Sequence, residues 1–219
     1  MSTFSAAAFA AARGGRRLFE GVGFAVNPGG ALLCTGANGS GKSSLLRLMV
    51  GFGRPAKGVL AWEGADIQRD IDAHRANLHL ISHADAVKPA LKAGEQLGFW
   101  MAVAGTTPDP TKIRNALAAL GIDHLVDTPC RFLSAGQRRR LALSRLAAVA
   151  RPLWLLDEPS VGLDADAISD LKQLIASHRV QGGMVVLTSH QDLGIEDAQT
   201  IALGDYPPSA SNDDEWWES

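Results

Sequence analysis

Cysteine is scarce in this chain: Cys34 and Cys130 are the two among 219 residues. They lie far apart and the first falls in an apolar, strand-like run, which excludes a disulfide framework and reads as free thiols in a reducing compartment. Long apolar runs are missing as well. No stretch approaches the roughly 18 to 20 residues that cross a bilayer. The Ala-rich start from Ala6 to Ala12 has no basic leader and is too weakly apolar for a signal peptide. Any membrane role must therefore pass through partners. A surplus of charge is absent too, with 21 basic against 23 acidic residues, so nothing draws the chain toward nucleic acid or anionic lipid at long range. No internal repeat and no heptad run is present, which excludes solenoids and long coiled coils. The length suffices for one well-buried core with an inserted subdomain, not for two independent α/β domains.

What is there begins with Gly36-Ala37-Asn38-Gly39-Ser40-Gly41-Lys42-Ser43-Ser44. Glycine at both ends of a four-residue gap, then Lys, then Ser, lets the backbone wrap phosphate oxygens with no Cβ in the way. The apolar run Ala31 to Thr35 reads as a strand entering this loop. Ser43 to Met49 reads as a helix leaving it, whose positive end faces the phosphates. The expected ligand is a nucleoside triphosphate, with Lys42 on the β- and γ-phosphates and the Ser43 hydroxyl on Mg²⁺. A second string, Leu153-Trp154-Leu155-Leu156-Asp157-Glu158-Pro159, is an apolar strand ending in two carboxylates at the edge where open α/β sheets bind ligands. Asp157 is expected to hold Mg²⁺ and Glu158 to polarise the attacking water. In a third, Leu133-Ser134-Ala135-Gly136-Gln137, Ser134 caps a helix whose free amides can meet phosphate.

The remaining segments set the architecture. Asn27-Pro28-Gly29-Gly30 is a turn signal that predicts a hairpin between about Leu18 and Leu33. Val59 to Trp62 and Leu78 to Ile81 are short strand candidates. From Pro89 to Leu125 the apolar residues recur at helical spacing around the breaker Gly105 to Pro108, which reads as a helical insertion. Helices over 137–150 and 165–177 then alternate with strands over 153–157 and 184–188, implying a mostly parallel, two-faced sheet in an α/β fold. His79 and His83 are expected on one strand face. Ordinary polar contacts are the reading for these and His74, and Arg138-Arg139-Arg140 reads as a solvated helix face. The tail from 206, with Trp216 and Trp217, reads as a disordered acidic segment.

Taken together, the phosphate loop, "LSAGQ" at Leu133 to Gln137, "LWLLDEP" at Leu153 to Pro159, "SVGLD" at Ser160 to Asp164 and His190 after "VVLTS" resemble the ATP-binding subunits of ABC transporters over about residues 17–205. The resemblance implies a phosphate-loop ATPase fold spanning 1–205, with an N-terminal antiparallel β subdomain and a helical subdomain inserted at 86–140. It implies ATP and Mg²⁺ as ligands and a second copy of the chain as partner. ATP would then lie between the phosphate loop of one copy and Ser134, Gly136 and Gln137 of the other, with Asp164 at the dimer contact and His190 holding the γ-phosphate and Glu158. Within the family, "LSAGQRRRLALSRL" and "ISHADAVKPALKAGEQLGFW" are similar to the haem-exporter ATPases of bacterial cytochrome c maturation. That implies a translocase subunit on the cytoplasmic face of the inner membrane, docked on integral membrane subunits around His83 to Trp100. The ATPase of another lipid, drug or peptide exporter stays open as a reading, as does a soluble ABC protein acting on nucleic acid or ribosomes. Two departures stand out. The loop Leu80 to Pro89 lacks the family's Gln, leaving His83 or Asp85 as stand-ins, and in place of the family's adenine-stacking aromatic only Phe9, Phe19, Arg13, Arg16 and Arg17 are near, an Arg guanidinium being the expected substitute.

Overall fold

The computed structural model describes residues 3–189 and 193–208. Strand β1 (Phe4–Arg13) pairs antiparallel with β2 (Arg16–Val26). Gly14 and Gly15, both at positive φ, form the two-residue link that such a hairpin favours. With β4 (Lys57–Trp62) and β5 (Ala65–Asp66) they make a sheet ordered β2-β1-β4-β5. The sequence hairpin was expected at the wrong turn. Asn27 to Gly30 does turn, Gly30 N–H donating to the Asn27 carbonyl at 2.8 Å, but it carries the chain out of this sheet into β3 (Ala31–Thr35) of another. Both neighbours of β3 are parallel strands, and a strand apolar along its whole length fits such a doubly covered sheet better than a half-exposed hairpin.

The second sheet has the order β6-β7-β8-β3-β9. Its members are β6 (Leu78–Ile81), β7 (Leu153–Asp157), β8 (Met184–Thr188) and β9 (Gln199–Ala202), every pairing parallel. Side chains alternate across it. Leu153 and Leu155 of β7 and Val186 of β8 join one core with Phe4, Phe9, Phe19 and Leu45. Trp154 and Leu156 with Val185 and Leu187 join the other, among Leu97, Leu117, Leu143 and Leu171. This period of two is what a sheet covered on both faces requires. The first core is closed by the antiparallel sheet and α1 (Lys42–Met49). The second is closed by α3 (Ala93–Val103), α4 (Pro110–Ala118), α5 (Ala135–Ala148) and α6 (Ala165–Val180). A short α2 (Ile71–Ala76) precedes β6.

Between β6 and β7 the chain builds α3 and α4 before α5 returns it to the sheet. Asp109 caps α4 by accepting from Lys112 N–H at 2.8 Å, with Pro110 in the first turn, where a missing N–H costs nothing. Among the described residues no helix is long and apolar enough to cross a membrane.

Candidate functional site

The parallel register brings the C-terminal ends of β3, β7 and β8 together, with Asp157 opposite Thr188 and Cys34 opposite Thr188 on its other side. A cavity of about 450 Å³ opens there, and Asn38, Lys42, Ser43, His83, Asp157 and Glu158 line it. The first two functional strings of the sequence thus meet at one place.

The loop from Gly36 to Gly41 is shaped by close approach. A Cβ on Gly36 would lie 2.5 Å from the Ser40 hydroxyl, and one on Gly41 would lie 3.2 Å from Leu18 and Phe19 of β2. Both residues have positive φ, 150° and 103°, which only glycine adopts without strain. Lys42 is buried and its Nζ donates to the Gly36 carbonyl at 2.7 Å. Helix α1 has no side-chain cap and no acidic residue in its first turn. A helix start with no capping side chain suits an anionic ligand. Among the described residues the buried Ser40 hydroxyl finds no hydrogen-bond partner, and it lies where a Cβ on Gly36 would fall. Glycine cradle, buried ammonium and uncapped amides fit a polyphosphate.

The Asp157 carboxylate and the Glu158 backbone are held from β8. Thr188 Oγ1 donates to Asp157 Oδ1 at 2.7 Å, and Glu158 N–H donates to Thr188 Oγ1 at 3.0 Å. Glu158 sits at φ 47°, a left-handed conformation that costs a side-chain-bearing residue about 1–2 kcal/mol. Ser43 and Asp157 facing the same cavity give one hydroxyl and one carboxylate. That hard-oxygen pair suits Mg²⁺, which takes its other ligands from phosphate and water. Among the described residues no cluster of His, Cys, Asp and Glu could hold a metal unaided.

Ser134, Gly136 and Gln137 stand apart from this cavity, at the start of α5. Ser134 Oγ accepts from Gln137 N–H at 3.2 Å while Gln137 Oε1 accepts from Ser134 N–H at 2.8 Å, a reciprocal capping box. Asp164 caps α6 by accepting from Ala167 N–H at 3.0 Å and takes both oxygens of its carboxylate to Arg140. The Ala167 amide first, then Arg140, hold its carboxyl below the usual range. His190 lies outside the described residues.

Several expectations are corrected. His79 is buried and donates to the Val149 carbonyl at 2.8 Å, while His83 lies beyond the strand and lines the cavity. The two do not share a strand face, because β6 ends at Ile81. His74 is likewise spent on the Met49 carbonyl at 2.7 Å. Phe9 and Phe19 are fully buried against each other and cannot stack on a base. Arg13 and Arg16 are exposed at the hairpin turn, and Arg17 pairs with Glu20 at 2.8 Å. The Arg138 to Arg140 face is not solvated throughout, since Arg139 is buried. Two residues that brace the Asp157–Glu158 segment, Thr188 and Arg139, were not singled out in the sequence, yet each left a trace. Thr188 is a polar end to an apolar strand. Arg139 falls in register with Ala142, Leu143 and Leu146, on the buried stripe of α5.

The ABC transporter family model matches residues 19–161. A cytochrome c biogenesis ATP-binding export protein CcmA from Paramagnetospirillum magneticum is 46% identical over 212 residues, covering 94% of this chain and 95% of that protein. One of the same description from Rhodospirillum rubrum is 47% identical over 199 residues, covering 91% and 84%. Among solved structures, an ABC transporter ATP-binding protein from Pyrococcus furiosus superposes with a TM-score of 0.84 at 20% identity, covering 94% of this chain and all of that one. A bacterial Atm1-family ABC exporter with ATP bound gives 0.81 at 19%, covering 91% and 37%; at such identities the likeness is one of fold. With the family match spanning the phosphate loop, the α5 start and the β7 carboxylates, and relatives aligned along nearly their whole length, this chain belongs to the ABC transporter family, among the ATP-hydrolysing subunits.

Proposed function

We propose that the chain is the ATPase subunit of the haem-export complex of c-type cytochrome maturation, working as a pair of copies on integral membrane subunits at the cytoplasmic face of the inner membrane. The observation that carries the ATPase chemistry is the convergence of Lys42, Ser43, Asp157 and Glu158 on one cavity beneath the uncapped start of α1. The haem assignment rests on the cytochrome c biogenesis export proteins to which the chain is similar.

In this reading the amides and side chains of Gly36, Ala37, Asn38, Gly39, Ser40, Gly41, Ser43 and Ser44 enclose the ATP phosphates. Lys42 releases the Gly36 carbonyl to meet β- and γ-phosphate oxygens. Ser43 and Asp157 hold Mg²⁺, which when bound screens the phosphate charge. Thr188 fixes the Asp157 carboxylate by its hydroxyl. Glu158 accepts a proton from water as the water oxygen bonds to the γ-phosphorus and the bond to the departing ADP oxygen breaks. His190 steadies the γ-phosphate. Ser134, Gly136 and Gln137 of the second copy close the site from above, with Asp164 at the contact. Residues 86–140 serve as the inserted helical subdomain of a domain running over 1–205; of the tail expected over 206–219, residues 209–219 lie outside the described residues. Phe99 is 41% exposed on α3 with Lys88 Nζ 4.0 Å from its ring centre, which suits the outer surface of that subdomain for a membrane subunit.

The test is a strain carrying only the Glu158→Gln protein. Periplasmic c-type cytochromes are expected to lose covalent haem on a haem-stained gel while membrane b-type haem spectra stay normal. Normal c-type haem attachment overturns the haem assignment and leaves an exporter of another cargo.

A further inference from the structure

Arg139 uses every donor it has. Its Nε donates to the Pro159 carbonyl at 3.3 Å. Nη2 donates to the carbonyls of Asp157 at 3.1 Å and Glu158 at 2.9 Å. Nη1 donates to the Ser82 carbonyl at 2.8 Å and to Asp85 Oδ1 at 3.1 Å. A guanidinium carries five N–H groups in a rigid fork, so no donor is left over. Three of the acceptors belong to the turn that carries Glu158 in its left-handed conformation. The other two belong to the loop leaving β6, where the family's Gln is missing and His83 faces the cavity. The guanidinium stands on α5, in the element that also begins with Ser134.

We propose that Arg139 is a positioning residue for hydrolysis. It locks the backbone of Asp157 to Pro159 so that Glu158 meets the water, and through Ser82 and Asp85 it ties that geometry to the 82–85 loop and hence to the helices that follow. The proposal rests on the ATPase reading above. Lys cannot replace Arg here, because an ammonium has three donors and no fork. Asp85 is the distal anchor. It is partly exposed, at 24% against 6% for Arg139, so changing it to Asn leaves the four carbonyl bonds standing while removing the charge from one of the two Nη1 contacts.

The test is steady-state ATP hydrolysis by the purified full chain, with binding of a non-hydrolysable ATP analogue measured alongside. Arg139→Lys is expected to lower kcat about tenfold or more, with KM for ATP and analogue affinity within about twofold, since the loss falls on the transition state alone. Asp85→Asn is expected to lower kcat about threefold, and the double variant to be no worse than Arg139→Lys, because both act through one fork. Fully additive losses, an unchanged kcat in either folded variant, or a KM rising in step with the fall in kcat each overturn the proposal. If Arg139→Lys does not fold, Asp85→Asn decides by its kcat alone. A wild-type chain that does not hydrolyse ATP at all, or a Lys42→Ala chain as active as wild type, instead refutes the ATPase reading.

Discussion

Helices α1 and α5 both present an N-terminus suited to phosphate, and they do so in opposite states. The α1 terminus has Gly41 at its cap, a residue with no side chain to cap the helix. The α5 terminus is closed by its own Ser134 and Gln137, each bonding the other's backbone. The uncapped, glycine-wrapped terminus is packed against β2 behind Gly41, and Lys42 donates to the Gly36 carbonyl beside it. A capped terminus on an exposed serine is stable by itself. Its cap is worth about 0.5–2 kcal/mol, little enough for a charged ligand to displace. Both helices are also fastened at their far ends by a buried histidine, His74 on the Met49 carbonyl and His79 on the Val149 carbonyl. In the proposed pairing, one terminus thus stands open to its ligand and the other has to be opened by it.

The comparison breaks most completely at Lys42. Lys42→Ala removes the buried ammonium from the α1 site and is expected to cut ATP hydrolysis by about 10² to 10³, with the circular dichroism spectrum and thermal midpoint near wild type. Full turnover in that variant means the α1 terminus does not hold the triphosphate. Close behind stands Glu158→Gln, which leaves both termini and the metal ligands intact while removing the base, a loss of about 10² to 10⁴. It should bind MgATP and elute as a dimer in size-exclusion chromatography. A fully active monomer contradicts the pairing of the two termini across copies.

A sharper measurement mixes chains. Lys42→Ala spoils the α1 terminus and Ser134→Arg the α5 terminus, so in a mixed dimer both lesions fall in one composite site and the other is whole. Activity is expected to return to a fraction of wild type, up to about half in each mixed dimer if the two sites act independently. If proven mixed dimers stay as inactive as each parent, then either the two termini do not complete each other or the sites work only together.

The smallest effect concerns the histidine fastenings. Burial pulls His79 down to about 4 and His74 down as well, the carbonyl bonds opposing that only in part. The folded chain therefore holds these rings neutral where the unfolded chain, near 6.5, binds protons. Stability is fully present above about pH 6.5 and is lost as pH falls toward 4, by at most about 1.4 kcal/mol per pH unit for His79. Urea unfolding from pH 7 to 4.5 should show this slope, reduced in His79→Gln. An unaltered slope assigns the acid sensitivity to other groups.

Much of the site was legible before any fold was built. The glycine spacing of the phosphate loop, the apolar strand ending in Asp157 and Glu158, and the Ser134 cap are local patterns. They report local geometry because backbone conformation and capping depend on neighbours in sequence. The two-faced sheet was legible too, since β7 and β8 are apolar on both sides. What spacing could not supply was the choice of distant partners. A turn signal at Asn27 to Gly30 says that the chain turns, not that the next strand joins a different sheet. Only packing shows which side-chain donors meet which carbonyls, so three arginines in a row looked alike although Arg139 is buried. Likewise, Thr188 becomes part of the site only because the parallel register sets it opposite Asp157. The sequence by itself determined the nucleotide-binding family and the local shape of the elements proposed to receive the ligand. The tertiary structure decided which residues brace Glu158 and where each histidine is spent, because those bonds join positions tens of residues apart that only the folded sheet brings within hydrogen-bonding reach.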